Sequence, residues 1–185
     1  MIALKDDYDI GLKGAWMQTF TGKQFFPLSP RVEDIDIIDI AHALSFQCRY
    51  GGHCKRFYSV AEHSIHIAHR LPYPLGLWGL LHDASEAYVS DVIRPIKPYL
   101  TNYTEIEDRL MAKIVERFGL NPTTMPPAVK DLDNRILMDE RAQILAPPPA
   151  PWNFEVEPLG VEIKCWSPES AEKRFLDLFH VLGGV

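Results

Sequence analysis

The sequence lacks the residues and segments that mark several large classes of protein. Its three cysteines are an odd number with no C-x-x-C pair, so neither a disulfide framework nor a thiolate zinc site is indicated. No apolar run approaches the roughly 18 residues that a membrane-spanning helix requires. The first residues, MIALKDDYDI, lack the basic-then-apolar order of a signal peptide. We therefore expect a cytoplasmic protein with reduced thiols and no membrane partner.

An excess of positive charge is also missing. Lys and Arg number 19 against 25 Asp and Glu, which gives a net charge of -6. Non-specific binding to nucleic acid relies on many Lys and Arg side chains that meet phosphates. We therefore expect no DNA or RNA partner, whereas a small anionic substrate would need only a local cluster of cations.

Alternating strand patterns are scarce, and helical spacing of apolar residues takes their place. In the first 30 residues, Thr21-Gly22-Lys23 predicts a short hairpin or an irregular cover. The 46% of apolar residues suffice for one core, so residues 1–185 are predicted to form a single domain. The fold class is predicted to be all-α, a bundle of about six helices. Apolar periodicity predicts these helices near residues 37–48, 60–71, 77–90, 104–118, 127–144 and 168–182.

Capping residues flank several of the predicted helices. Asp36 and Ser59 are predicted N-caps, and Ser167 begins the last helix. Thr104 and Glu107 predict a capping box at the start of the fourth helix. These signals place the helix starts more firmly than periodicity alone does.

Charged residues stand in the middle of an apolar helix in the stretch LLHDASEAY, which contains His82, Asp83 and Glu86. A buried unpaired carboxylate costs several kcal/mol, so such groups are normally paired, solvated in a cleft or bound to a metal. Glu86 lies one helical turn from both His82 and Asp83, so the three side chains can converge on one side. A surface ion pair between His82 and Asp83 is the alternative.

Two other predicted helices also turn a polar residue toward the core. His63 lies close to the apolar stripe of its helix, and Asp133 shares a face with the apolar residues of its own. Taken singly, His63 could be a satisfied core histidine, and Asp133 could pair with Lys130 or Arg135 in solvent. Together with the pair on the third helix they favour a metal site, because three such coincidences would otherwise be needed.

The donor set indicates the kind of ion and the chemistry. Two imidazoles and two carboxylates suit a borderline divalent ion such as Zn, Mn, Co, Ni or Fe(II), and Mg stays open as well. A bound divalent ion lowers the pKa of its water ligand toward about 7, which makes hydroxide available near neutral pH. Glu86 is then placed to orient or deprotonate that water.

Three motifs match a known family. AEHS, HDASEAYVSD and the later Asp133 resemble the H…HD…D signature of HD-domain phosphohydrolases. Residues 17–145 are similar to the 5'-deoxynucleotidase-like subgroup of bacteria and phages, which includes phage dATP triphosphohydrolases; the longest matching stretches are TFTGKQFFPLSPRVEDIDIIDIAHALSFQCRYGGHCKRFYSVAEHS and LLHDASEAYVSDVIRPIKP. The resemblance implies an HD-domain helical bundle that hydrolyses (deoxy)nucleotide phosphates. It also implies a homo-oligomer, a dimer or higher.

The resemblance assigns roles to the polar residues of these motifs. It implies that Glu86 activates the attacking water and that Asp91 assists proton traffic or orders the metal-bound water. The metal ligands that it implies are His63, His82, Asp83 and Asp133.

Substrate contacts follow from the same resemblance. Arg49 in CRYGGH matches the arginine near the substrate phosphate, and Tyr50 matches the neighbouring aromatic position against the sugar. Lys97 in RPIKP is a candidate for a second phosphate contact, with Arg94 or Arg56 as substitutes. Each of these cations could equally be a solvated surface charge.

The scaffold alone does not decide the reaction, since HD domains also include two-metal phosphodiesterases and oxygenases. Two-metal members resemble one another in extra histidines between the HD pair and the last aspartate, and none occurs here between Asp83 and Asp133. A single metal is therefore expected. A regulatory module that binds a nucleotide without turnover is the other alternative, against which Glu86 and Asp91 count. Whether the substrate is a monophosphate or a triphosphate stays open from the sequence.

Overall fold

A computed structural model describes residues 14–184, and α-helices dominate this part of the chain. An antiparallel hairpin of β1 (Met17–Gln18) and β2 (Gln24–Phe25) precedes them. The helices are α1 (Ile37–Phe46), α2 (Val60–Ala68), α3 (Gly76–Leu81), α4 (Glu86–Val89), α5 (Tyr103–Phe118), α6 (Pro127–Ile144) and α7 (Pro168–Val181). The all-α prediction and the N-terminal hairpin are confirmed. The predicted domain of residues 1–185 extends at both ends beyond the described residues.

The predicted N-caps begin the helices as expected. Asp36 accepts a hydrogen bond from the Ile38 N–H at 2.9 Å, and Ser59 accepts one from the Glu62 N–H at 3.0 Å. The Ser167 hydroxyl does the same for α7. Each cap satisfies one of the free N–H groups of a first turn. No helix within residues 14–184 is both long enough and apolar enough to cross a membrane.

The prediction of one helix over residues 77–90 is wrong. The chain forms α3, then a turn at residues 82–85, then the short α4. In the turn, the Nδ1–H of His82 donates to the Gly79 carbonyl at 2.8 Å. An unbroken helix would offer that carbonyl to the Asp83 N–H, so the side chain competes with the helical ladder.

Other predicted helix boundaries are also wrong, and α2 ends at Ala68 rather than at residue 71. Helix α5 begins at Tyr103 without the capping box, because Glu107 pairs with Lys97 at 2.7 Å instead. Helix α1 ends at Phe46 rather than at residue 48. The chain there turns extended, and Cys48 forms an antiparallel bridge with Ser59.

Helix α2 lies at the centre of the molecule and packs against α1, α3, α6 and α7. Eight of its nine residues are buried, including Glu62 and His63. Because these two residues cannot reach solvent, their charges and lone pairs must be satisfied by neighbouring elements. This central position brings His63 next to side chains from α6 and from the end of α3.

The segment between α6 and α7 has no regular structure in its last part, yet it is fixed by buried carboxylates. Glu62 accepts the backbone N–H groups of residues 164, 165 and 166 at 2.7 to 2.9 Å. Asp139 of α6 accepts those of residues 159, 160 and 161 at 2.7 to 3.1 Å. These bonds replace the partners that a sheet or helix would give the buried backbone.

Candidate metal centre and adjoining cavity

Two buried histidines face each other where α2 meets the end of α3. The ring centroids of His63 and His82 are 5.3 Å apart, and neither Nε2 atom has a hydrogen-bond partner among the described residues. The other ring nitrogens are occupied, since His63 Nδ1 lies 2.7 Å from Glu140 Oε1 and His82 Nδ1 lies 2.8 Å from the Gly79 carbonyl. Because both partners are acceptors, Nδ1 carries the proton in the neutral rings and Nε2 presents a lone pair.

Two carboxylates close the cluster. Asp133 Oδ1 lies 3.3 Å from His63 Nε2, and Asp83 Oδ2 lies 3.1 Å from His82 Nε2 and 3.7 Å from His63 Nε2. Three of the four predicted metal ligands, His63, His82 and Asp133, therefore form one compact group, and Asp83 lies beside both histidines. One donor atom from each of His63, His82 and Asp133 lies within 4.8 Å of the others, and this buried group could hold a metal ion.

The residues fit a metal on electrostatic grounds. Lone pairs of imidazole nitrogens and carboxylate oxygens that face one another at such distances repel unless a cation stands between them. Burial and the charge of Arg49 lower the pKa of His63, but Glu140 and Asp133 raise it more. Burial raises the pKa of Asp83, but the charges of His82 and His63 lower it to about 2. The cluster thus favours positive charge at its centre.

Glu140 orients the buried imidazole and was not predicted from the sequence. Its carboxylate is fully buried and accepts hydrogen bonds from His63 Nδ1, from the Tyr58 hydroxyl at 2.9 Å and from the Tyr50 hydroxyl. Burial raises the pKa of Glu140, but the charges of Arg49 and His63 lower it to about 2. An ionised carboxylate behind a histidine is the usual support of a metal-ligating imidazole.

Glu86 and Asp91, the predicted catalytic pair, border the same site. Gln47 holds them together, because its amide donates to the Glu86 carbonyl at 2.9 Å and accepts from the Asp91 N–H at 3.0 Å. Between them, Ser90 adopts a positive φ of 71° that turns the chain back. Burial and the negative charges of Asp83 and Asp91 raise the pKa of Glu86 well above its ordinary range. Glu86 is thus able to carry a proton in the site.

A cavity of about 730 Å³ opens beside the cluster. A cavity of this size is typical of sites that bind small molecules. Its wall combines three kinds of side chain among the described residues. Carboxylates are Asp83, Glu86, Asp91 and Asp133; cations are Arg49, Arg94, Lys97 and Lys130; apolar and aromatic residues include Val92, Ile93, Leu137, Trp152 and Phe154.

The predicted substrate-binding residues differ in how firmly they are held. Arg49 is almost buried and lies 3.6 Å from Asp83 Oδ2, and the Tyr50 ring lines the cavity beside it. Arg94 and Lys97 also line the cavity, with Arg94 the more exposed. Arg56, proposed as a substitute, does not line it and donates to the Lys164 carbonyl instead.

Comparison with known proteins supplies a family but no activity. No family model matches the chain. This chain is 38% identical over 130 residues to the uncharacterized protein YfdR of Escherichia coli. The alignment covers 70% of this chain and 72% of that protein. The chain belongs to the YfdR family. A second relative, an uncharacterized protein of Rhodobacter capsulatus, is 39% identical over 129 residues, or 64% of this chain and 65% of that protein.

Several site residues of this YfdR-family chain escaped the sequence reasoning. Glu140 had a usable signal, since it lies seven residues after Asp133 and so on the same helix face. Lys130 was considered only as a surface partner of Asp133, which it contacts at 2.8 Å while also lining the cavity. Trp152 and Phe154 carried no signal, because they follow the proline run in an irregular segment whose path periodicity does not predict.

Proposed function

We propose that this chain is an HD-type, metal-dependent phosphohydrolase that acts on (deoxy)nucleotide phosphates. The proposal depends most on the buried Nε2 atoms of His63 and His82, which lack protein partners in the described residues and face Asp133 and Asp83 beside a cation-lined cavity. Such an arrangement is hard to explain as structural, because buried polar atoms normally have partners. The motifs quoted from the sequence support the HD assignment.

His63, His82, Asp83 and Asp133 would hold the divalent ion, which supplies Lewis-acid polarisation of a phosphate oxygen and a water of lowered pKa. Glu86 acts as the general base toward the attacking water, since it lines the cavity and its pKa is raised by burial and by Asp83. The pKa of Glu86 would fall beside a divalent cation, which brings its proton exchange toward neutral pH. Asp91 orders the water or passes the proton onward.

The charge of the cavity supports an anionic substrate with several phosphates. Four carboxylates and four cations line the described part of the wall, so their formal charges cancel. A divalent ion would leave an excess of positive charge. Arg49, Arg94, Lys97 and Lys130 then offer more phosphate contacts than one phosphate can use. This favours release of triphosphate from a deoxynucleoside triphosphate over removal of a single 5'-phosphate.

A one-metal hydrolase is favoured over the two-metal alternatives. The sequence has no histidine between Asp83 and Asp133 to serve a second ion. Phosphodiesterase and oxygenase chemistry of the two-metal type would need additional ligands next to the first four. The wall offers Glu86 and Asp91 there, which the hydrolytic reaction already uses.

The test is a panel of deoxynucleoside and ribonucleoside mono- and triphosphates, incubated with Mn²⁺, Co²⁺ or Zn²⁺ and resolved by chromatography. We expect deoxynucleoside and triphosphate as products. The Glu86→Gln variant should lose turnover, and the control Asp177→Asn, an exposed carboxylate of α7, should keep it. If no nucleotide yields phosphate, pyrophosphate or triphosphate with any of these ions, the hydrolase proposal fails and a binding module without turnover takes its place.

A further inference from the structure

Aromatic side chains line the cavity in addition to the charged ones. Trp152 and Phe154 are each half-buried and line the cavity, with Asn153 between them. Phosphate groups make no use of such a surface. Bases of nucleotides stack on aromatic side chains, and this contact is a main source of affinity in sites that hold unpaired bases. We infer that Trp152 and Phe154 form the nucleobase-binding wall of the site, an inference that rests on the proposed nucleotide substrate.

The wall is held in place from both sides. Upstream, the run PPPAP at residues 147–151 is stiff, because each proline fixes its own φ. Downstream, Arg135 of α6 donates to the carbonyls of Glu157 and Pro158 at 3.0 and 3.2 Å. Asp139 holds the next three backbone N–H groups. Residues 152–154 therefore line the cavity between a stiff run of prolines and a segment anchored to α6.

The indole of Trp152 has further support from α6. The guanidinium of Arg141 lies 5.3 Å from the ring centroid, within the range of a cation–π contact. An aromatic ring held in this way loses little conformational freedom when a ligand binds, which favours stacking. The amide of Asn153 can both donate and accept hydrogen bonds, so it suits the edge of a base.

The rest of the cavity fits the same division. Val92, Ile93 and Leu137 add apolar surface, while Arg49 lies 3.6 Å from Asp83 and Arg94 lies 4.0 Å from Asp133. A ligand with an aromatic end and an anionic end would match both parts, and a nucleotide is such a ligand. A sugar phosphate or polyphosphate without a base would leave the aromatic wall exposed to water.

The experiment separates base binding from hydrolysis by using deoxyadenosine, which has no phosphate to cleave. Saturation-transfer difference NMR on the full chain, with EDTA present, measures transfer of magnetisation from the protein to the protons of the bound base. We expect transfer to the adenine protons in the wild type and about tenfold weaker binding in Trp152→Ala. Trp152→Phe should restore most of the affinity, since it keeps an aromatic face. Tyr73→Ala removes an aromatic ring that is 91% exposed and does not line the cavity, and it should change nothing.

Steady-state kinetics with Mn²⁺ give a second readout. Trp152→Ala should raise the KM for dATP about tenfold, while the inhibition constant of inorganic tripolyphosphate, the expected product, stays unchanged. Circular dichroism checks that each variant folds. If Trp152→Ala does not fold, the same binding and KM measurements are made on Phe154→Ala. Absence of transfer to the base in the wild type, or equal binding in the alanine variants, overturns the inference. Base binding without hydrolysis of any nucleotide would support the wall and refute the proposed function alone.

Discussion

Glu140 keeps an ionised carboxylate without contact with solvent because its neighbours satisfy it. The imidazole of His63 and the hydroxyls of Tyr58 and Tyr50 donate to it, and Arg49 lies 3.5 Å away. One residue thus fixes the orientation of His63 and also connects the metal cluster to Arg49. A metal site built in this way depends on groups that never touch the ion.

The variant Glu140→Gln tests that dependence. The amide keeps the size of the side chain but removes the charge behind His63, so the affinity for the metal should fall about 10- to 100-fold. Competition with a chelating dye measures this affinity. The control is Glu172→Gln, which alters another carboxylate next to a histidine, His42, in contact at 3.0 Å. An unchanged affinity in Glu140→Gln would show that His63 needs no such support.

At the scale of residues, the sequence predicted the candidate ligands better than their supports. His63, His82 and Asp133 are detectable because a polar residue on an apolar helix face is unusual. Gln47 is not, since Gln is ordinary at a helix end and its contacts depend on which other elements pack over it. Glu140 was detectable only through its spacing of seven residues from Asp133. The periodicity of apolar residues does not predict which side chains distant in sequence contact one another.

Among the elements, the short helix α4 and the turn after it are held by side chains from other parts of the chain. Gln47 follows α1 and bonds to both the Glu86 carbonyl and the Asp91 N–H. The predicted catalytic pair is therefore positioned by an amide from another helix end. The backbone between them accepts one further bond, from the Tyr103 hydroxyl to the Ser90 carbonyl at 2.8 Å.

The variant Gln47→Leu should lower turnover about 10- to 100-fold while the metal is retained, because small displacements of catalytic groups are costly. Turnover and metal content are measured on the same sample. Gln143→Leu is the matched control, since Gln143 also bonds two backbone groups, at Val161 and Ile163, but neither of these residues lines the main cavity as Glu86 and Asp91 do. Equal losses of turnover in the two variants would refute a positioning role for Gln47.

The segment before α7 is also held by a buried charge. Glu62 accepts three backbone N–H groups, so Glu62→Ala leaves them unsatisfied and should lower the free energy of unfolding by about 3 kcal/mol or more. Urea unfolding followed by circular dichroism measures the loss. Glu162→Ala, an exposed residue of the same segment, should change it little. A loss below about 1 kcal/mol in Glu62→Ala would mean that water replaces the carboxylate there.

The elements themselves were predictable where local chemistry decides them. The caps of Asp36 and Ser59 need only their own first turns, and both were predicted correctly. The break between α3 and α4 arises from a side chain that competes for a helical carbonyl, and the path of residues 157–166 arises from two buried carboxylates. Both features depend on tertiary contacts, which local sequence patterns do not predict.

In the whole molecule, the candidate metal site joins three elements that are separate in sequence. His63 belongs to α2, His82 follows α3, and Asp133 lies on α6. An ion bound by all three should therefore stabilise the packing of the bundle. Binding to the folded state alone contributes about 2.7 kcal/mol at a free metal concentration one hundred times the Kd.

Removal of the metal should lower the melting temperature by roughly 5 to 10 °C for a chain of this size. Differential scanning calorimetry with Mn²⁺ and then with excess EDTA measures the shift. Asp133→Ala should melt at the same temperature in both conditions. A wild-type melting temperature that does not respond to EDTA would mean that no ion links these helices.

The proposed reaction depends on a single divalent ion held by His63, His82, Asp83 and Asp133, with Glu86 outside the ligand set. Its most direct test is the metal content per chain, measured by inductively coupled plasma mass spectrometry after loading with Mn²⁺ and removal of unbound ion. We predict one ion per chain in the wild type and in Glu86→Gln, and little or none in Asp133→Ala. A wild type without bound ion, or an Asp133→Ala variant that retains it fully, would contradict the account.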